Sequence, residues 1–115
     1  MINQEAVDKT ITHLEQLPPE RFDMSTFGSM GNCGTVGCLA FHIVEANSTE
    51  LSYAHAANKA LEILNTEDES LFYLDMWPIG LKNAYTRAYR SGDFTGAKSV
   101  AITAFKRWAA NGGHW

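Results

Sequence analysis

The stretch VGCLAFHIVEA, residues 36–46, carries apolar side chains almost all round a helical projection: Val36, Leu39, Ala40, Phe41, Ile43 and Val44. A helix apolar on every side has no face to give to water, so it belongs at the centre of a fold with other helices packed around it. Working outward, apolar residues recur at three- and four-residue spacing on both sides of it. Residues 3–17 align Ala6, Val7, Ile11, Leu14 and Leu17, and residues 49–64 align Tyr53, Ala57, Ala60, Leu61 and Leu64. Residues 79–91 align Leu81, Ala84, Tyr85, Ala88 and Tyr89, and residues 95–110 align Ala97, Val100, Ala101, Ala104, Phe105 and Trp108. A short helix carries Leu71, Phe72 and Leu74 to Trp77-Pro78.

Punctuation falls between these stripes. Pro18-Pro19 ends the first helix, Thr35 and Thr49 are placed as N-caps, and Gly92 and Gly112 follow the last two helices as left-handed C′ residues. Thr66 with Glu69 three residues on reads as a capping box, which accounts for the carboxylates of Glu67, Asp68 and Glu69 at the positive end of a helix. An EF-hand loop would need alternating oxygen ligands and a central glycine, and this segment has neither. The expectation is an all-α fold: one helical domain over residues 1–115, a compact bundle of five to six short helices around a buried central helix at about 36–46. One long irregular loop, at about 20–35, interrupts it.

The 115 residues, 45% of them hydrophobic and 19% charged, are enough to bury a core without disulfides. The start, MINQEAVDKTITHLEQL, alternates polar and apolar residues at helical spacing and lacks the apolar core of a signal peptide. No run approaches a membrane span. The expected compartment is therefore the cytoplasm, where two cysteines are thiols before they are a bridge. The net charge of −4 is unevenly spread: residues 1–75 hold three basic against twelve acidic residues, residues 76–115 six against one. Such a split either complements itself within the fold or gives the second part an anionic partner. An acidic chain without a nucleic-acid motif argues against DNA or RNA.

Chemistry concentrates in FGSMGNCGTVGCLAFH, residues 27–42, which holds both cysteines and four of the nine glycines. If Thr35 caps the central helix, the amides of Val36, Gly37 and Cys38 form its first turn and lack helical acceptors, an anion-ready arrangement whose main chain the Gly31, Gly34 and Gly37 spacing lets another group approach closely. The side chains offer another reading. Cys38, His42 and Glu45 share one helix face, and Cys33 with Cys38 and His42 gives C-x4-C-x3-H, three zinc ligands to which Glu45, His13 or His55 could add a fourth. Cys38 with His42 could also form an activated thiol, but no third group orients the histidine. The plainest reading is packing, with small buried cysteines and a hydrogen-bonded core histidine. On the 79–91 helix, Lys82, Asn83, Thr86, Arg87 and Arg90 lie opposite the apolar stripe, either as a solvated face or as a phosphate or carboxylate site.

Phe22-Asp23-Met24, then Cys33-Gly34-Thr35 and Cys38-Leu39-Ala40, and later Leu71-Phe72 with Trp77-Pro78, resemble a widespread group of small phage and bacterial proteins marked by FDM and CGTxxCxAG. Phe41 stands where that pattern has glycine. The resemblance implies no particular activity. It implies a phage-type context, in which small proteins without an enzyme signature grip a host protein or sequester a small molecule such as a nucleotide signal of antiviral defence. The first expectation is accordingly a non-enzymatic, cofactor-free binder of a small anionic, nucleotide-class ligand. Its site would combine Asn32, Gly34, Thr35, Val36, Gly37, Cys38 and His42 with Lys82, Arg87 and Arg90, and with Trp77 or Tyr85 stacking on a base. The alternatives are a module inhibiting a host protein, and a thiol or zinc protein built on Cys33, Cys38 and His42. Trp108 and Trp115 near the end of the chain offer an aromatic surface for a homodimer.

Overall fold

The computed structural model describes residues 2–22, 29–31, 34–36, 39–47 and 56–115. It is all-α in character, with five helices among the described residues: α1 (Gln4–Gln16), α2 (Leu39–Asn47), α3 (Ala56–Leu64), α4 (Ile79–Arg90) and α5 (Phe94–Ala110). Short 3-10 turns occupy Pro19–Arg21, Glu69–Phe72 and Leu74–Met76. Helix α2 is the centre that its sequence requires: Leu39 to Val44 are six consecutive buried residues. It packs between α1 and α3, α1 also touches α5, and α4 lies along α5. Leu14, Leu39, Ile43, Leu64, Leu71, Phe72, Phe105 and Trp108 fill the space between them.

Polar contacts fix the helix ends. Asn3 caps α1 through Oδ1, which accepts from the Ala6 amide at 3.2 Å, while its Nδ2 donates to the Ile63 carbonyl at 3.1 Å and its own amide to Leu64 at 2.8 Å. One residue thus starts α1 and closes α3. The far end of α1 is held by Lys98, whose Nζ donates to the Leu17 carbonyl at 2.8 Å. Helices α4 and α5 both end in the Schellman pattern. Gly92, at φ +80°, donates to Tyr89 while Asp93 donates to Ala88; Gly112, at φ +81°, donates to Ala109 while Gly113 donates to Trp108. Asp93 then starts α5 by accepting from the Gly96 amide at 2.9 Å.

Three expectations change. The central helix, Leu39–Asn47, does not reach back to residue 36, because Gly34–Val36 is a strand, β2, paired antiparallel with β1 (Ser29–Gly31). Ser29 faces Val36, Met30 faces Thr35 and Gly31 faces Gly34. Thr35 is therefore a ladder residue and caps no helix; β-branched Thr35 and Val36 suit an extended ribbon better than a helical turn. The long loop at 20–35 thus contains a 3-10 turn and part of a hairpin. Second, Thr66 forms no capping box: its Oγ1 accepts from the Asp68 amide at 3.3 Å, and Asp68 caps only a 3-10 turn, through the Ser70 amide at 3.0 Å. Third, Trp108 is fully buried and Trp115 partly so, with its ring centroid 6.3 Å from that of Trp77, so the two indoles form no exposed pair for dimerisation. The Thr49 cap lies outside the described residues.

Two substitutions test this account of the helix ends. Asn3→Ala is expected to cost about 1–2 kcal/mol, since it removes a cap and the tie to α3. Gly92→Ala is expected to cost about 1 kcal/mol, since it forces a side chain into the left-handed region. Urea unfolding midpoints at neutral pH measure both, and unchanged midpoints would contradict the account.

Candidate functional site

Among the described residues, the members of the expected ligand set do not assemble in one place. Gly34, Thr35 and Val36 are in β2, so Val36 offers no helix-start amide, while Asn32, Cys33, Gly37 and Cys38 lie outside the described residues. Trp77 and Tyr85 are core residues, packed edge to face at 5.8 Å, and cannot stack on a base from outside. The Trp77 indole is committed to the Leu71 carbonyl at 2.8 Å. Lys82 pairs with Asp75 at 3.0 Å. Arg87 and Arg90 do line a shallow surface cleft, with Asn83, Thr86 and Ser91, on the outer side of α4. Among the described residues, none of the other expected ligand residues lines it.

His42 is the exception, and around it a different site forms. Its place in α2 follows from the helical period, which sets it among Leu39, Ile43 and the rest of the buried run with no exposed surface. Phe22 stacks on its ring at 5.8 Å and 19°, and Phe41 meets it edge-on at 5.1 Å. Pro18-Pro19 ends α1 and leads into the Pro19–Arg21 turn, which delivers the Arg21 carbonyl to His42 Nε2 at 3.0 Å. A carbonyl only accepts, so Nε2 carries the proton and Nδ1 of the neutral ring presents a lone pair. Nδ1 lies 3.3 Å from His13 Nε2 and 3.5 Å from Glu45 Oε1. His13 Nε2 is itself 2.8 Å from Glu45 Oε1. His13 comes from the last turn of α1, and Glu45 is three residues on from His42 along α2.

Three donor atoms, two imidazole nitrogens and one carboxylate oxygen, thus enclose a point, with edges of 2.8, 3.3 and 3.5 Å. A tetrahedral zinc ion with bonds of about 2.0–2.1 Å has ligand-to-ligand edges of about 3.3 Å. The set His, His, Glu is a known zinc donor combination, and it keeps three protein ligands with one position over. The outer contacts also fit: a ligating histidine holds its other N–H on a carbonyl, as His42 does on Arg21. The Arg21 guanidinium lies 3.2 Å from Glu45 Oε2, so one residue orients two of the three donors. Without a metal, the His13 Nε2–H proton fills the same point, shared between Glu45 and His42.

Of this set, His42 with its helix-mate Glu45 follows from sequence spacing, and His13 stands there only as one of three further ligands. Arg21 carries no signal, because its part depends on the backbone direction of a three-residue turn. His55, Cys33 and Cys38, the remaining members of the zinc reading, lie outside the described residues. No helix among the described residues is long and apolar enough to cross a membrane. Compared with protein-family models, curated proteins and solved structures, the chain matches none.

Burial pushes His42 down from 6.5 to about 4, against the opposing pull of the Arg21 carbonyl and the Glu45 charge. Between about pH 4 and 6.5 the unfolded chain then binds a proton at this position that the folded chain refuses. Unfolding free energy must therefore fall as pH falls through that window, with the His42 contribution complete above it and exhausted below it. Denaturant unfolding of the chelator-treated protein across this range should show His42→Gln less pH-dependent than the parent, by close to one proton. Parallel curves would contradict the buried, neutral imidazole.

Proposed function

We propose that this chain binds a divalent transition metal of the zinc class through His13 Nε2, His42 Nδ1 and Glu45 Oε1. The observation that carries this reading is the convergence of three donors, from two helices, at the spacing of a tetrahedral face. Two imidazole nitrogens and a carboxylate oxygen share one point, where a metal ion would take the place of the His13 Nε2–H proton. Glu45 supplies the single negative charge, and the two imidazoles suit zinc, nickel or copper better than calcium or magnesium. Because the ligands come from α1 and α2, the ion would tie the two helices together and add its binding energy to folding.

Metal content of protein purified without chelator, and zinc titration of the stripped protein, test the reading. At zinc concentrations ~100 times the dissociation constant, unfolding should become harder by ~2.7 kcal/mol. His13→Ala and Glu45→Gln are both expected to weaken zinc at least about tenfold while folding at neutral pH. Protein that stays metal-free and gains no stability from zinc, nickel or cobalt would sink the proposal.

A second reading rests on a separate observation, the α4 cleft where Arg87 and Arg90 sit with Asn83, Thr86 and Ser91 and no carboxylate among the described residues lines the wall. It supports capture of a small anion by charge and hydrogen bonding, without the aromatic stacking that a nucleotide site would add. A stability gain with nucleotides that is lost in Arg87→Ala and Arg90→Ala would favour it.

A further inference from the structure

The metal reading leaves one coordination position undetermined, and the burial of the three donors points to the side on which it opens. His42 is sealed: Phe22 covers one face, Phe41 closes the edge, and the Arg21 carbonyl sits behind Nε2. His13 and Glu45 are only partly covered, their side chains 25% and 18% exposed. These two line a surface cleft of about 530 Å³ between α1 and α2. His42 does not line it. An ion held by the triad therefore has the hydrophobic interior behind it and the cleft in front.

Resting on that reading, we infer that the fourth position takes a small oxyanion bound from the cleft, with one oxygen on the metal and the others held by α1. The wall of the cleft is built by helical spacing. Lys9 lies one turn before His13 on the same row, and Thr12 and Gln16 flank that row. They offer an ammonium, a hydroxyl and a carboxamide, all hydrogen-bond donors to oxygen. The cleft has one further carboxylate, Asp8, which already accepts from Gln4 Nε2 at 3.0 Å. Lys9 pairs with Glu5 at 3.4 Å, but both side chains are largely exposed, at 59% and 80%, so the ammonium exchanges readily to a better-placed anion. Charge favours the same occupant. A divalent ion on two neutral imidazoles and one carboxylate keeps a unit positive charge, while on the cleft wall the charges of Lys9 and Asp8 offset one another. An oxyanion such as a phosphate group neutralises the charge left on the metal centre and bridges it to the Lys9 ammonium, which water cannot do.

Cobalt(II) as a spectroscopic substitute, with inorganic phosphate as the probe, tests the inference in two steps with protein in excess over metal. Cobalt alone should give a four-coordinate visible band that His13→Ala abolishes; failure here defeats the metal reading and the inference with it. Phosphate at constant ionic strength should then shift the band saturably. The double variant Lys9→Ala/Gln16→Ala should bind phosphate about tenfold more weakly, with cobalt affinity unchanged. Cobalt binding with a band indifferent to phosphate, or a phosphate response identical in the double variant, overturns the oxyanion inference and leaves the metal reading standing. So does an intense thiolate-to-cobalt band that disappears in Cys38→Ser, since the chain itself would then fill the fourth position.

Discussion

The hydrogen bond from His42 Nε2 to the Arg21 carbonyl is the constraint on which the rest of the site depends. A polar ring without exposed surface, in the most buried helix of the bundle, is tolerable only if its nitrogens are engaged. The carbonyl settles one nitrogen and, by fixing the tautomer, determines what the other can do. Nδ1 is left as a lone pair aimed at His13 and Glu45. The same contact anchors the turn after α1 to the central helix, so the geometry of the site and the packing of two helices are set together.

That arrangement places function and stability in tension. Phe22 stacks on His42 and also meets Tyr85 edge-on at 6.4 Å, and Tyr85 in turn packs against Trp77. An aromatic row thus runs from the cluster into the core that α4 shares with the 3-10 turns. Packing this dense holds the imidazole in one orientation, as a metal ligand must be held, and it also depresses the proton affinity of the ring. A ring kept neutral by its surroundings is available to a metal under mildly acidic conditions, where an exposed histidine would be partly protonated.

The helices and the core were legible because periodicity is a local property. Each stripe from Ala6 to Trp108 is a statement about spacing along one segment, and Gly92, Gly112 and Asp93 state their turns in their own chemistry. The start of α2 is not legible for a comparable reason. Thr35 is a good N-cap and a good strand residue, and only the pairing of Met30 with Thr35 decides between them. Trp77 and Tyr85 read as available for stacking because an aromatic ring does not announce in the sequence which neighbours will cover it. The site was half legible: His42 and Glu45 share a face by arithmetic, but His13 is 29 residues away and joins them only through the crossing of α1 and α2. Arg21 contributes through its carbonyl, a group every residue has, so no side-chain pattern could have marked it.

The central claim is that His13, His42 and Glu45 share one metal ion, and X-ray absorption at the zinc edge of the zinc-loaded protein tests it most directly. The account predicts a first shell of nitrogen and oxygen at about 2.0–2.1 Å with the outer-shell scattering of two imidazoles. A shell dominated by sulfur at about 2.3 Å, with one imidazole or none, would contradict it.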